Sequence, residues 1–283
     1  MRGEQEMKNR PAAKIQSGFL RTIVYIAAIL TVGVLACIIG YILIKGIPNL
    51  SLDLFSLEYT SENVSLFPAM VNTVTMTLLS LVISVPLGVF SAIYLVEYAK
   101  RGNKLVSVVR VTAETLTGIP SIVYGLFGFL FFVTAFGWGY SMLAGSLTLV
   151  IMVLPVIMRS TEEALKAVPD SYREGSFGLG AGKLRTVFRI VLPSAVPGIL
   201  AGVILAVGRI VGETAALIYT AGTVAQIPGT LMSSGRTLAV HMYALWSEGI
   251  NTNQSYATAV VLLVVVVLLN AASSAIAKRI SKG

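Results

Sequence analysis

The stretch Glu162–Pro193, EEALKAVPDSYREGSFGLGAGKLRTVFRIVLP, is a polar island between two apolar runs. Its spacing is specific: Glu174, two small residues (Gly175 and Ser176), three residues, Gly180, nine residues, Ile190, one residue, then Leu192 and Pro193. The pattern predicts a short helix, a glycine break and a second helix. That unit would carry an apolar ridge (Leu179, Leu184, Val187, Phe188) and a basic face (Lys183, Arg185, Arg189). Small residues at Gly175, Ser176, Gly178, Gly180 and Gly182 leave room for another protein to approach the backbone closely. A membrane protein working alone has no evident use for such an island, so it reads as a docking knob.

Composition places the rest of the chain in lipid. Of 283 residues, 55% are hydrophobic and 12% charged, and the mean hydropathy is +0.83. Several apolar runs reach the ~20 residues that a helix needs to cross a bilayer. The net charge of +8 is not a nucleic-acid face, because its lysines and arginines alternate with loops that hold almost none. Eighteen of the twenty-one lie at the N-terminus, around Lys100–Arg110, on the island or at the C-terminus. Lys45 and Arg236 fall in external loops and Arg209 within a span. This is the positive-inside pattern of six crossings with both termini cytoplasmic.

In chain order, residues 1–17 read as a loose cytoplasmic arm and residues 18–283 as one six-helix membrane domain. Span one covers about residues 20–44, too long for a cleaved signal and without a small-residue cleavage site. An external loop with Asp53, Glu58 and Glu62 follows. Span two (68–96) carries Pro86 and Gly88, which predict a kink. Residues 104–117 form an amphipathic helix along the inner surface. Span three runs from Gly118 and Pro120 to an interfacial Trp138 and Tyr140. Span four covers 142–158, the cytoplasmic loop 160–193, span five 194–219, and span six 257–277. Residues 221–256 between the last two spans read as external.

Charges inside the membrane are the candidate substrate residues. Arg209 and Glu213, four apart in GRIVGET, are expected on one helix face, with Gly208 and Gly212 forming a flat strip for another helix. A charge near mid-bilayer costs about 3 kcal/mol on insertion scales, so it must pair or face water. The two are either a structural ion pair or the mark of a substrate path. A guanidinium fork suits an oxyanion such as phosphate. Arg159, at the inner end of span four, is a second path candidate and equally an ordinary positive-inside anchor. Glu97, Arg110 and Glu114 read as structural. His241, the single histidine, reads as packed, and no metal site is expected there. Met232, Met242, Tyr243 and Trp246 read as a packing stripe. Cys37 lies within span one and excludes a disulfide framework.

The chain contains no G-x-x-x-x-G-K-[ST] loop, no serine–histidine–acid set and no H-E-x-x-H. It therefore reads as a non-enzymatic conduit with no cofactor of its own.

The island resembles the EAA signature of type I ABC-importer permeases, E-A-A-x3-G-x9-I-x-L-P, with Gly175 and Ser176 in place of the two alanines. Glycine there loosens the helix by about 1 kcal/mol. The resemblance implies an all-α, MetI-like integral membrane fold in a bacterial or archaeal cell membrane. It also implies that Glu174, Gly175, Ser176, Gly180, Ile190, Leu192 and Pro193 couple the chain to a separate ATPase. GRIVGET and the later phrase TLAVHMYALWSEG narrow the resemblance to PstA-type subunits of phosphate-specific importers. That likeness implies a PstC-like second permease, two PstB-like ATPases that bind the ATP and Mg, and a PstS-like phosphate-binding protein. It also implies that Arg209 and Glu213 lie on or near the phosphate path. The alternatives are a permease for sulfate, molybdate or phosphonate, or a secondary transporter.

Overall fold

The computed structural model describes residues 11–100 and 102–280. Arg2, Lys8, Arg10, Arg101 and Lys282 lie outside the described residues, as do the side chains of Lys14, Lys278 and Arg279. Among the described residues every regular element is helical. The main elements are α1 (Pro11–Gly46), α2 (Phe67–Ile93), α3 (Lys104–Thr117), α4 (Ser121–Gly128), α5 (Met142–Lys166), α6 (Asp170–Gly178), α7 (Lys183–Thr186), α8 (Leu192–Val211), α9 (Ala215–Thr220), α10 (Leu238–Glu248) and α11 (Thr252–Ile280). Wide π turns extend α2 over Tyr94–Tyr98, extend α4 over Phe129–Ala135, and join α7 to α8 over Val187–Val191.

Five helices are long and apolar enough to cross a membrane, and α3 with extended α4 forms a sixth, broken unit bent by 106°. The bend falls where expected, at Gly118–Pro120, because proline cannot continue the preceding helix. Residues 121–135 rise only roughly 22 Å, short of a ~30 Å hydrocarbon core. The expected third span is thus half of a bent element. Two further boundaries differ. The helix of span one begins at Pro11, inside the expected loose arm. The second island helix and span five form one span, Lys183–Val211, of 29 residues, so the lever and the membrane helix are continuous.

The interior centres on α5, which packs along α2 on one side and α8 on the other. Met76, Leu149, Met152, Ile157, Ala206, Ile210 and Leu217 fill that core. Hydroxyls along α2 bond back to their own helix, Thr73 to the Ala69 carbonyl and Thr77 to the Thr73 carbonyl, both at 2.7 Å. Ser80 instead donates across to the Ser146 carbonyl of α5 at 3.2 Å. Such buried hydroxyls are stable in a membrane protein because a carbonyl satisfies each one. The most apolar stretch of α1 is bare within the chain. The helix touches the rest through α11, where Tyr41 and Tyr256 meet edge to face at 5.8 Å between centroids.

Two glycines of α8 let it pack tightly against α5. A Cβ at Gly198 would lie 2.6 Å from the Ala164 Cβ, and one at Gly202 would overlap the Ser160 side chain. We expect Gly202→Ala to lower the thermal midpoint in detergent despite alanine's helix preference of about 1 kcal/mol, since overpacking costs about 1–3 kcal/mol. Adding Ser160→Gly, which removes the opposing atoms, should recover most of the loss.

Candidate functional site

The island is a built surface. Gly180 adopts φ +81°, a conformation that only glycine takes without penalty, and its amide donates to the Phe177 carbonyl at 2.9 Å. The chain thereby reverses between α6 and α7. Ser176 and Thr186 pair their hydroxyls at 2.8 Å in the buried seam between these helices. This explains a serine where the resembled signature has alanine: it remains small and gains a bond to the second helix. Gly175 has open space where a Cβ would stand, and Glu174 is exposed. Ile190 and Leu192 are half-buried, and Pro193, which has no amide proton, follows the widened turn Val187–Val191.

The expected apolar ridge divides in two. Leu179 is 91% exposed and Leu184 66%, with Phe188, Tyr172 and Phe177 also open, while Val187 is buried. Val187 joins Val191, Ala195, Leu165, Val168, Ile93, Leu95 and Val106 in a second core. One side of the island is thus anchored to the inner ends of α2, α3 and α5, and the other presents apolar groups to the outside. Exposed apolar patches of this kind mark protein contact sites.

Paired charges surround the root of the island. Glu162, 8% exposed, lies 2.6 Å from both the Arg110 Nε of α3 and the Lys166 Nζ. Glu97, also 8% exposed, lies 2.7 Å from Arg173 of α6. Arg159, near the end of α5, lies between Glu163 at 3.1 Å and Glu114 at 3.7 Å. Its charge is already matched there, as an anchor's would be.

Arg209 and Glu213 do not share a helix face. The helix expected to carry both stops at Val211, and Gly212–Thr214 are unwound before α9 begins. Glu213 is buried and its carboxylate accepts the Ala216 amide of α9 at 3.0 Å. It caps a half-helix, the favourable place for an anion. Among the described residues no carboxylate lies within ion-pair distance of Arg209. Half-buried Arg209 acts electrostatically on Tyr124 of α4, whose hydroxyl donates to the Leu116 carbonyl at 2.6 Å. Among the described residues, a Cβ at Gly208 would have no neighbour within 4 Å. Close packing occurs instead at Gly198 and Gly202, and at Gly125, where a Cβ would stand 2.8 Å from the Ala216 Cα. The i, i+4 spacing misled here because it presumes a continuous helix.

The segment expected to be external, residues 221–256, folds back onto α2. The Asn72 side chain donates to the carbonyls of Gln226 at 2.8 Å and Arg236 at 3.1 Å, and the Leu238 amide donates to the Thr73 hydroxyl at 2.9 Å. Arg236 is buried with its guanidinium 4.7 Å above the Tyr59 ring, a packing no sequence signal pointed to. His241, on α10 outside the spanning helices, is fully buried against the same tyrosine. Met242, Tyr243 and Trp246 line a hollow with Ile42 and Tyr256, while Met232 is exposed.

Three comparisons bear on this arrangement. The chain belongs to the family of binding-protein-dependent transport system inner membrane components, whose profile matches residues 84–283. It is 33% identical over 259 residues to a probable ABC transporter permease protein, YqgI, of Bacillus subtilis, covering 86% of each chain. It is 37% identical over 211 residues to the phosphate transport system permease protein PstA of Pasteurella multocida, covering 74% of each. Against PstA 1 of Mycobacterium tuberculosis identity is 41% over 156 residues, 55% of this chain and 51% of the relative. Among solved structures, an inward-facing MetNI methionine ABC transporter shares the fold with TM-score 0.58 and 22% identity, over 76% of this chain and 94% of that one. A bacterial ABC transporter involved in import of the acidic polysaccharide alginate does so with TM-score 0.63 and 16% identity, over 99% of each. The fold is therefore the MetI-like type I importer permease fold, and the chain is a multi-pass protein of the bacterial inner membrane.

Burial, reinforced by Arg236, pushes the His241 imidazole down to about 3, whereas an unfolded histidine titrates near 6.5. The folded state therefore binds fewer protons in that window. The associated stability is full above about pH 6.5 and declines as the pH falls towards 3. Chemical denaturation in detergent at pH 7 and pH 5 should show this loss, and His241→Gln should flatten it.

Proposed function

We propose that the chain is the non-catalytic permease subunit of an ATP-driven phosphate importer, with both termini cytoplasmic. The observation that carries this reading is the island: an EAA-like surface with its apolar side open, built on a helix continuous with a membrane span. The phosphate transport names of the PstA relatives support the choice of substrate. Residues 18–283 form the permease domain and the loop 160–193 couples it. Glu174, Gly175, Ser176, Gly180, Ile190, Leu192 and Pro193 shape the part that enters a groove of the ATPase. The partners are a PstC-like second permease, two PstB-like ATPases that hold the ATP and Mg, and a PstS-like phosphate-binding protein. The chain itself needs no cofactor.

In this mechanism, closure of the two ATPases pushes on the islands and rocks the spans from inward-facing to outward-facing. Phosphate leaving the binding protein then passes Arg209. A guanidinium without a carboxylate partner in the membrane is costly by about 3 kcal/mol or more, and a passing oxyanion offsets that cost through a bidentate contact. Broken helices are where transporters place such sites, because unwound backbone is tolerated in a membrane when it lines a cavity. The break at Gly212–Thr214 lies directly after Arg209, and Glu213 holds its two halves in register. Arg159 stands at the inner exit, its charge shared with Glu163 and Glu114.

In vesicles holding the assembled complex, Arg209→Gln should lower radiolabelled phosphate uptake at least tenfold while the ATPase still co-purifies. Excess sulfate or molybdate should not compete in the unmodified complex. Competition, or undiminished uptake by the variant, would overturn the phosphate reading, and ion-gradient-driven uptake by the chain alone would replace it with a secondary transporter. A Gly180→Glu variant, which strains the positive-φ turn and adds charge to the docking side, should hydrolyse ATP without importing phosphate.

A further inference from the structure

The sequence pattern leaves Arg173 without a role, yet it is the most heavily bonded side chain of the island. Its guanidinium is only 15% exposed. Nε and Nη2 grip Glu97 Oε1 at 3.1 and 2.7 Å. Nη2 also donates to the Leu165 carbonyl at 2.9 Å, and Nη1 donates to the Val168 carbonyl at 2.8 Å and to Asp170 Oδ1 at 3.2 Å. Leu165 lies in the last turn of α5 and Val168 just beyond it, at the helix end that favours a cation. Glu97 lies on the π turn that ends span two, 76 residues away in sequence. A single planar fork thus joins three separate elements: the coupling helix α6, the end of α5 and the end of α2.

We propose that Arg173 and Glu97 form the joint through which displacement of the coupling helix is carried into span two, which makes Arg173 a positioning residue for transport. The apolar core beneath the island resists separation but is non-directional, whereas a planar fork that sends two donors to Glu97 Oε1 and others to two carbonyls fixes angle as well as distance. Both side chains are largely shielded, 15% and 8% exposed, so neither exchanges its partner for water without loss. Lysine keeps the charge but is a point donor and cannot hold Glu97 and two carbonyls together. The outer side of α6, with Glu174 and Gly175, stays free for the ATPase. The two faces of one helix therefore divide reception of movement from its delivery.

This inference rests on the ATPase-coupling reading above, and the test separates the two. The full complex is reconstituted in vesicles from unmodified chain, Arg173→Lys and Glu97→Gln. In parallel, in a Cys37→Ser background, spin labels at Phe177→Cys on α6 and Leu87→Cys on α2 report the distance between these helices. Both variants are expected to assemble with the ATPase and to keep basal ATP hydrolysis. Phosphate moved per ATP should fall at least fivefold, and the label distance distribution should broaden. A thiol cross-linker joining Glu97→Cys to Arg173→Cys in the same background should restore most of the lost coupling. Unchanged phosphate per ATP, an unbroadened distribution or no rescue by the cross-link would each overturn the joint. An unmodified chain that captures no ATPase would instead sink the coupling reading itself.

Discussion

The arrangement depends on a backbone contact that two glycines permit. α5 enters the polar island and α8 leaves it, and the two helices lie against each other where Gly198 faces Ala164 and Gly202 faces Ser160. In lipid no hydrophobic driving force holds helices together, so close van der Waals packing of small residues has to. With its two legs held at this seam, the island cannot swing without moving both helices. Because Lys183–Val211 is one span, the island and the unwound turn after Arg209 are joined by one continuous helix.

Charge is handled differently at the two ends of that helix. At the root of the island the carboxylates of Glu97 and Glu162, each 8% exposed, both have cations within 2.7 Å. Leaving either unpaired would cost far more than the net worth of the pair. Within the membrane, Glu213 is spent on the α9 amide end and Arg209 has no carboxylate opposite it among the described residues. The first pattern suits parts that must hold their geometry. The second suits a position where a mobile anion is to supply the missing charge.

Residues 221–256 are packed more tightly than their polar composition implies. Gly, Ser, Thr and Asn in residues 221–256 read as a solvated loop, yet Asn72 and Thr73 of α2 bind its backbone and draw Arg236 and His241 into the interior. A loop that satisfies its backbone groups on a helix can be buried. Nothing in the composition of that loop distinguishes it from one facing water, because its bonding partners come from another helix.

Much of the architecture was legible in the residues. Apolar runs of spanning length, the placement of lysine and arginine, the proline at the α3–α4 bend and the island's spacing followed from local rules of hydropathy and backbone geometry. Those rules act within one stretch of chain and need no partner. What they could not decide were the relations between stretches. The i, i+4 spacing of Arg209 and Glu213 put them on one face, but the helix ends between them and Glu213 turns to a neighbouring amide. Arg173 looked like any surface cation of a polar loop until the fold brought Glu97 and the end of α5 to it. Sequence therefore determined which stretches are apolar enough to cross a membrane and where the polar island turns. Tertiary structure alone decided which charges are matched, because a buried charge takes its partner from whichever element packs nearest, however distant in the chain.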